Sequence, residues 1–133
     1  MIARVPLFED LDTAALADLI RHLRSLSIPA GHTIYYEGDP ADALYFVASG
    51  EVEILVAGVP VLAEAGDFFG EVSVMESRRR SGRARSIRRT HLLVLEAADF
   101  GEISRHYPEI RQRIETVSEE RIRQRENERG APA

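Results

Sequence analysis

The sequence predicts a mainly β, α+β fold: an antiparallel β-barrel or jelly roll flanked by an N-terminal helix and two C-terminal helices. Three observations carry this. From Leu26 to Leu95, short apolar or alternating stretches follow one another between Gly, Pro and Asp turn signals, as antiparallel strands do. On either side of that region the apolar spacing changes to three and four residues, the helical period. The chain's 133 residues, 44% of them hydrophobic, suffice for one core. The expectation is a single domain over residues 1–133, with a helical segment at 5–25, a barrel at 26–96 and helices at 97–129.

The elements follow in order. "FEDLDTAALADLIRHLRSL" places Leu16, Leu19, Ile20 and Leu23 at helical spacing, with Asp12 as N-cap and Ala14, Ala15 and Ala17 favouring helix. The preceding "VPLF" reads as a short hydrophobic docking segment. Strands are expected near Ser27–Ile28, Thr33–Tyr36, Ala43–Ala48, Glu51–Val56, Val59–Leu62, Ala84–Arg88 and His91–Leu95. Their turns are "PAGH", "EGDPAD", "ASGE", "AGVP" and "EAGD". After Leu95, "AADFGEISRHYP" gives one helix ending before Pro108. "PEIRQRIETVSEERIRQRENERG" gives another, with Ile110, Ile114, Val117 and Ile122 on one face and Gly130 as a stop. "RQRENERGAPA" loses the apolar stripe and is expected to fray.

Composition narrows the function. A net charge of −5 argues against a globally basic nucleic-acid binder. All 17 basic residues are arginine, whose planar fork pairs with phosphate in bidentate fashion. With no Cys, disulfide and thiolate chemistry are excluded. His22, His32, His91 and His106 are scattered without metal-ligand spacing, so no metal or cofactor is expected. The longest apolar run, Ile54 to Ala63, is too short to span a bilayer, and the acidic "MIARVPLFED" start is no signal peptide. A soluble, cytoplasmic domain is expected. A cupin-like enzyme would need a His/Glu metal cluster inside the barrel, and none is apparent in the sequence.

The chemistry concentrates in "GDFFGEVSVMESRRRSGRARS", residues 66 to 86. Arg78, Arg79, Arg80, Arg83 and Arg85 repel one another unless solvent, nucleic acid or a compact anion compensates them. Glu71 to Met75 can form one short helix, whose first backbone N–H groups would face an anion. An arginine nine residues after Glu71 can return across that turn to the same anion. Glu71 then suits a ribose hydroxyl better than a phosphate. A ribose and a phosphate held close together describe a cyclic nucleotide.

Phe69, Gly70, Glu71, Val72, Ser73 and Val74, followed at the expected spacing by Arg80, Ser81 and Gly82, resemble the phosphate-binding cassette of the cyclic-nucleotide-binding domain family, here residues 69–82. The resemblance extends from "VPLF" to about Ile122. It includes "IPAGHTIYYEGDPADALYFVASGEVEI", with turn glycines Gly31, Gly38 and Gly50, and "RRTHLLVLEAADF". It implies that Glu71 binds the ribose 2′-hydroxyl, that Arg80 pairs with the cyclic phosphate and that Ser81 adds its hydroxyl. Backbone N–H groups from Gly70 to Ser73 would complete the cradle. Gly82 and Arg83 depart from the family's small residues and are expected to loosen the strand start and add a charge. The resemblance also implies that the last helix closes over the base. There Arg121 either faces solvent from a packing helix or reaches the purine and stacks on it. Arg78, Arg79, Arg85, Arg88 and Arg89 are expected to be solvated or to pair with surface carboxylates.

The implied partner is a cyclic nucleotide, cAMP before cGMP because bacterial members generally use it. Ser81 suits either ligand. The chain looks most like the cytosolic domain of a bacterial cyclic-nucleotide-gated potassium channel, a non-enzymatic regulatory domain whose pore or other effector lies elsewhere in a larger parent chain. As an isolated domain it is expected to be monomeric and to carry no membrane segment. A stand-alone sensor, and a nucleic-acid-binding module built on the arginine run, are the alternatives.

Overall fold

The computed structural model describes residues 8–130, and the side chains of residues 8–127. Helix α1 (Thr13–His22) is followed by strands β1 (Arg24–Ile28), β2 (Thr33–Tyr35), β3 (Ala43–Ser49), β4 (Glu51–Val56), β5 (Val59–Glu64) and β6 (Phe68–Phe69). The short helix α2 (Glu71–Met75), strands β7 (Ala84–Ser86) and β8 (Thr90–Glu96), and helices α3 (Ala97–His106) and α4 (Pro108–Gly130) complete the order. The strands form two four-stranded sheets, β1-β8-β3-β6 and β2-β7-β4-β5, with every pairing antiparallel. This is the expected jelly roll with flanking helices.

The first sheet is buried on both faces, and its sequence says why. Along β3, Ala43, Tyr45 and Val47 enter the core between the sheets, while Leu44 and Phe46 enter a second core beneath the helices. β8 and β6 alternate likewise: Leu92, Val94 and Phe69 face inward, Leu95 and Phe68 face the helices. Period-two alternation of large apolar residues thus fills both layers at once. Phe8, Leu19, Phe100, Ile103, Ile110 and Ile114 supply the helical side, with Phe8 edge-on to Phe46 at 5.3 Å. Of the "VPLF" segment only Phe8 lies within the described residues.

Several boundaries differ from the expectation. The first helix begins at Thr13 with Asp12 as the expected N-cap, though without a side-chain bond, and it ends at His22, leaving Leu23 as its C-cap. Ile20, expected on its buried face, is 46% exposed. β1 starts at Arg24 because its backbone pairs with β8 from Val94 to Thr90. β6 was not expected at all. Its two residues pair only with Tyr45 and Phe46, too short a run to register as a strand pattern. β7 stops at Ser86, two residues early. α4 continues to Gly130 instead of fraying from Arg123, and Ile122 leaves the buried stripe at 38% exposure.

Candidate functional site: a ligand cavity under the last helix

Arg80 is the centre of the site. The chain from Arg78 to Arg83 is irregular but held by its backbone. Arg80 N–H donates to the Asp39 carbonyl at 2.9 Å, Gly38 N–H donates to the Arg80 carbonyl at 2.8 Å, and Arg78 N–H reaches Ser73 at 3.0 Å. Fixed by the β2–β3 turn on one side and α2 on the other, Arg80 points inward and is 3% exposed. Its Nη1 donates to the Gly70 carbonyl at 2.7 Å and its Nη2 to the Ala43 carbonyl. The guanidinium lies 4.2 Å from the Tyr35 ring centroid. Tyr45, stacked on Phe69 at 5.1 Å, backs that ring.

Two glycines make this geometry possible. Gly70 caps α2 in the left-handed region at φ 82°, and a Cβ there would sit 2.8 Å from Arg80 Nη1. A Cβ on Gly82 would come within 2.0 Å of the Leu55 carbonyl oxygen. Gly82 therefore does not loosen the strand start. It lets the chain lap closely over β4, where Leu55 N–H bonds the Arg83 carbonyl at 3.0 Å.

The charge balance around Arg80 is incomplete. Two carbonyl dipoles and an aromatic face partly offset it, but the nearest carboxylate, exposed Asp42, is 4.0 Å away. Among the described residues Arg80 Nε has no hydrogen-bond partner although it is buried. A buried guanidinium so served invites an anion, because desolvation is costly without full pairing. Burial pushes the Tyr35 hydroxyl up to about 12 despite the pull of Arg80, with Glu71 adding to the rise. Burial likewise raises Tyr45. Both rings therefore stay neutral beside the cation.

A cavity of about 380 Å³ opens over Arg80, within the range of small-molecule sites. Phe69, Gly70, Glu71, Val72, Ser73, Arg80, Ser81 and Arg121, the sequence candidates, all line it. Its apolar lining comes from Ile54, Leu55 and Val56 of β4, Val61, Leu62 and Ala63 of β5, and Ile122 of α4. Glu71, also in the lining, is 7% exposed and accepts a hydrogen bond from Ser118 Oγ at 2.6 Å, not from Arg80. The cavity thus offers a cation, a separate carboxylate acceptor and an apolar slot.

Arg121 does not face solvent alone. Its guanidinium lies 4.2 Å from the Phe68 ring centroid, with Nη1 donating to the Phe68 carbonyl at 2.7 Å and Nη2 3.3 Å from Asp67 Oδ1. Sequence reasoning missed Tyr35, Ser118, Asp67 and the β5 wall. Of these Ser118 left a signal, a polar residue four positions after Ile114 in the buried stripe.

The other arginines separate by neighbour. Arg78 pairs with Glu76 at 2.8 Å and Arg88 with Glu51 at 3.9 Å, as expected of surface charges. Arg79 instead bonds the Gly38 carbonyl at 2.9 Å, and Arg85 encloses a buried Nε on β7. Folding also brings His22, Asp99 and Glu102 together, their ligating atoms within 4.8 Å of one another. Spacing along the chain could not reveal that group. None of the three lines the cavity.

The family model of the cyclic nucleotide-binding domain matches residues 25–107, which include every strand but the first residue of β1, and α2 with Arg80. The chain belongs to the cyclic nucleotide-binding domain family. This cyclic nucleotide-binding domain is 36% identical over 121 residues to a cyclic nucleotide-gated potassium channel of Rhizobium etli, covering 91% of this chain and 34% of the channel. It is 27% identical to a CRP-like cAMP-activated global transcriptional regulator of Mycobacterium tuberculosis, covering 96% of this chain and 59% of the regulator. The domain superposes on the catabolite activator protein of Thermus thermophilus with a TM-score of 0.80 at 29% identity, covering 92% of this chain and 61% of that one. The chain spans about a third of the length of the channel relatives it matches. Among the described residues no helix is long and apolar enough to cross a membrane.

Proposed function

We propose that the cavity binds a cyclic nucleotide, cAMP in preference to cGMP, and that occupancy is passed through α4 to an effector elsewhere in a larger cytoplasmic assembly. In this reading the cyclic phosphate pairs with Arg80 and completes the neutralisation of its charge. Glu71 accepts the ribose 2′-hydroxyl. Ser81 and the backbone N–H groups from Gly70 to Ser73 supply further donors, and the base enters the slot between β4, β5 and Ile122. Arg121, already held against Phe68, closes the rim over it. The observation that carries the proposal is the buried Arg80 guanidinium, under-neutralised and lining a cavity that also holds the Glu71 carboxylate. Matches to relatives described as cyclic nucleotide-gated and cAMP-activated support the ligand class.

The effector is proposed to be a channel pore, following the identity to channel relatives, with the domain at the cytosolic membrane face. Regulation of another effector is the second reading, favoured by the match to the transcriptional regulator. The nucleic-acid reading of the arginine run loses its main support, since Arg78, Arg79, Arg80 and Arg88 are each engaged within the protein.

Isothermal titration with cAMP, cGMP and 5′-AMP tests the proposal. Both cyclic ligands are expected to bind, cAMP more tightly, and 5′-AMP far more weakly. Arg80→Leu is expected to lose at least about 100-fold in affinity, the scale of a desolvated charge-assisted pair. An unchanged affinity in that variant would sink the phosphate assignment.

A further inference from the structure

Along α4 the buried residues Ile110, Ile114 and Ser118 recur every four positions, so they lie on one helix face. The first two pack into the core beneath the sheet, and the third bonds Glu71, which lines the cavity. Ser118 is 3% exposed, and its hydroxyl donates to Glu71 Oε2 at 2.6 Å, the short distance of a charge-assisted O–H···O⁻ bond. Among the described residues it is the one donor to that carboxylate. Among the described residues Oε1 has no donor, it is not among the enclosed unpaired atoms, and Glu71 lines the cavity.

We infer that Ser118 is a positioning residue that sets the site's preference for ribose over deoxyribose. This rests on the reading of Glu71 as the acceptor for the 2′-hydroxyl. A glutamate side chain has three rotatable bonds, and ordering it on binding costs affinity. The Ser118 hydroxyl orders it beforehand through Oε2 and leaves Oε1 aimed at the ligand. Because Ser118 belongs to α4, one carboxylate then serves both the docked helix and the sugar. The 2′-hydroxyl of the ligand is felt at α4 through two hydrogen bonds.

The test uses the intact chain with cAMP and 2′-deoxy-cAMP, each titrated against wild type, Ser118→Ala and Ser118→Cys. The Cys variant keeps the side-chain volume but offers a weak donor, so packing is held constant. Wild type is expected to prefer cAMP. Both variants are expected to lose about tenfold in cAMP affinity, the size of one hydrogen bond to a charged group, and to bind the deoxy ligand within about twofold of wild type. A purely structural role would weaken both ligands equally, and that result overturns the inference, as does tighter binding of both. If wild type discriminates but the variants keep its ratio, the inference alone fails. If wild type does not distinguish the two sugars, the ribose role of Glu71 fails with it. If it binds neither cAMP nor cGMP, the proposed function itself fails.

Discussion

Arg80 is asked to do two jobs with one guanidinium. It ties the Gly70 and Ala43 carbonyls together, and its charge, short of a close carboxylate, lines the cavity. Arg80→Leu should therefore lower stability as well as binding, by about 1–3 kcal/mol for buried carbonyls left without a donor. Urea unfolding would measure this, and titration well below the melting temperature separates it from the binding loss. Tyr35 gives a pH signature. Its pKa is raised from 10.0 to about 12 in the fold, so between those values the native state holds a proton the unfolded chain has lost. The contribution of Tyr35 to stability is then constant below pH 10 and falls as pH rises toward 12, by roughly 2–3 kcal/mol over the window. Tyr45 acts in the same direction. Tyr35→Phe should flatten the decline, seen as urea midpoints at pH 9 and 11.5 that move closer together than in wild type. Gly82→Ala tests close approach: with its Cβ 2.0 Å from the Leu55 carbonyl, it should cost about 1–3 kcal/mol. The cassette residues were legible because they are contiguous in the chain. Tyr35 was not, because an aromatic in a strand reads as core until folding sets a guanidinium on its face.

Among the elements, α4 separates what the sequence can say from what it cannot. Its first half carries Ile110 and Ile114 and reads correctly as an amphipathic helix. Beyond Val117 the helix turns polar: Ser118 bonds Glu71, and Arg121, Ile122 and Arg125 line the cavity. To a periodicity argument that change looks like the end of a helix, whereas the helix has only changed its partner. β6 was illegible for a different reason. Two residues have no period, and their strand identity comes from the Tyr45 and Phe46 backbone opposite. Arg121 is the second anchor of α4, through Phe68 and Asp67. Arg121→Ala should cost about 1 kcal/mol or less in stability, since its ion pair is partly exposed. It should weaken cyclic-nucleotide binding severalfold, measured by titration. No change in affinity would remove Arg121 from the rim.

For the whole molecule, a ligand that binds only the folded state adds stability by mass action. At 100 times its dissociation constant the gain is about 2.7 kcal/mol. For a chain of this size that is a rise of roughly 8 °C in melting temperature, which a thermal melt would follow. Arg80→Leu should lose most of that rise at the same ligand concentration. A wild-type melt that ignores saturating cAMP would contradict the proposed function.

The two sheets are not equally protected. β3 and β8 are covered by helices on one face and by the opposite sheet on the other, whereas no residue of β2, β4, β5 or β7 joins the helix-side core. Amide hydrogen exchange should accordingly be slowest in β3 and β8 and fastest along the edge strand β5. Openings that lift the cavity wall need not pass through global unfolding, which gives a bound nucleotide a way out that leaves the helix-backed sheet intact. Ligand should then slow exchange chiefly in α2, β4, β5 and α4, with little change in β3 and β8.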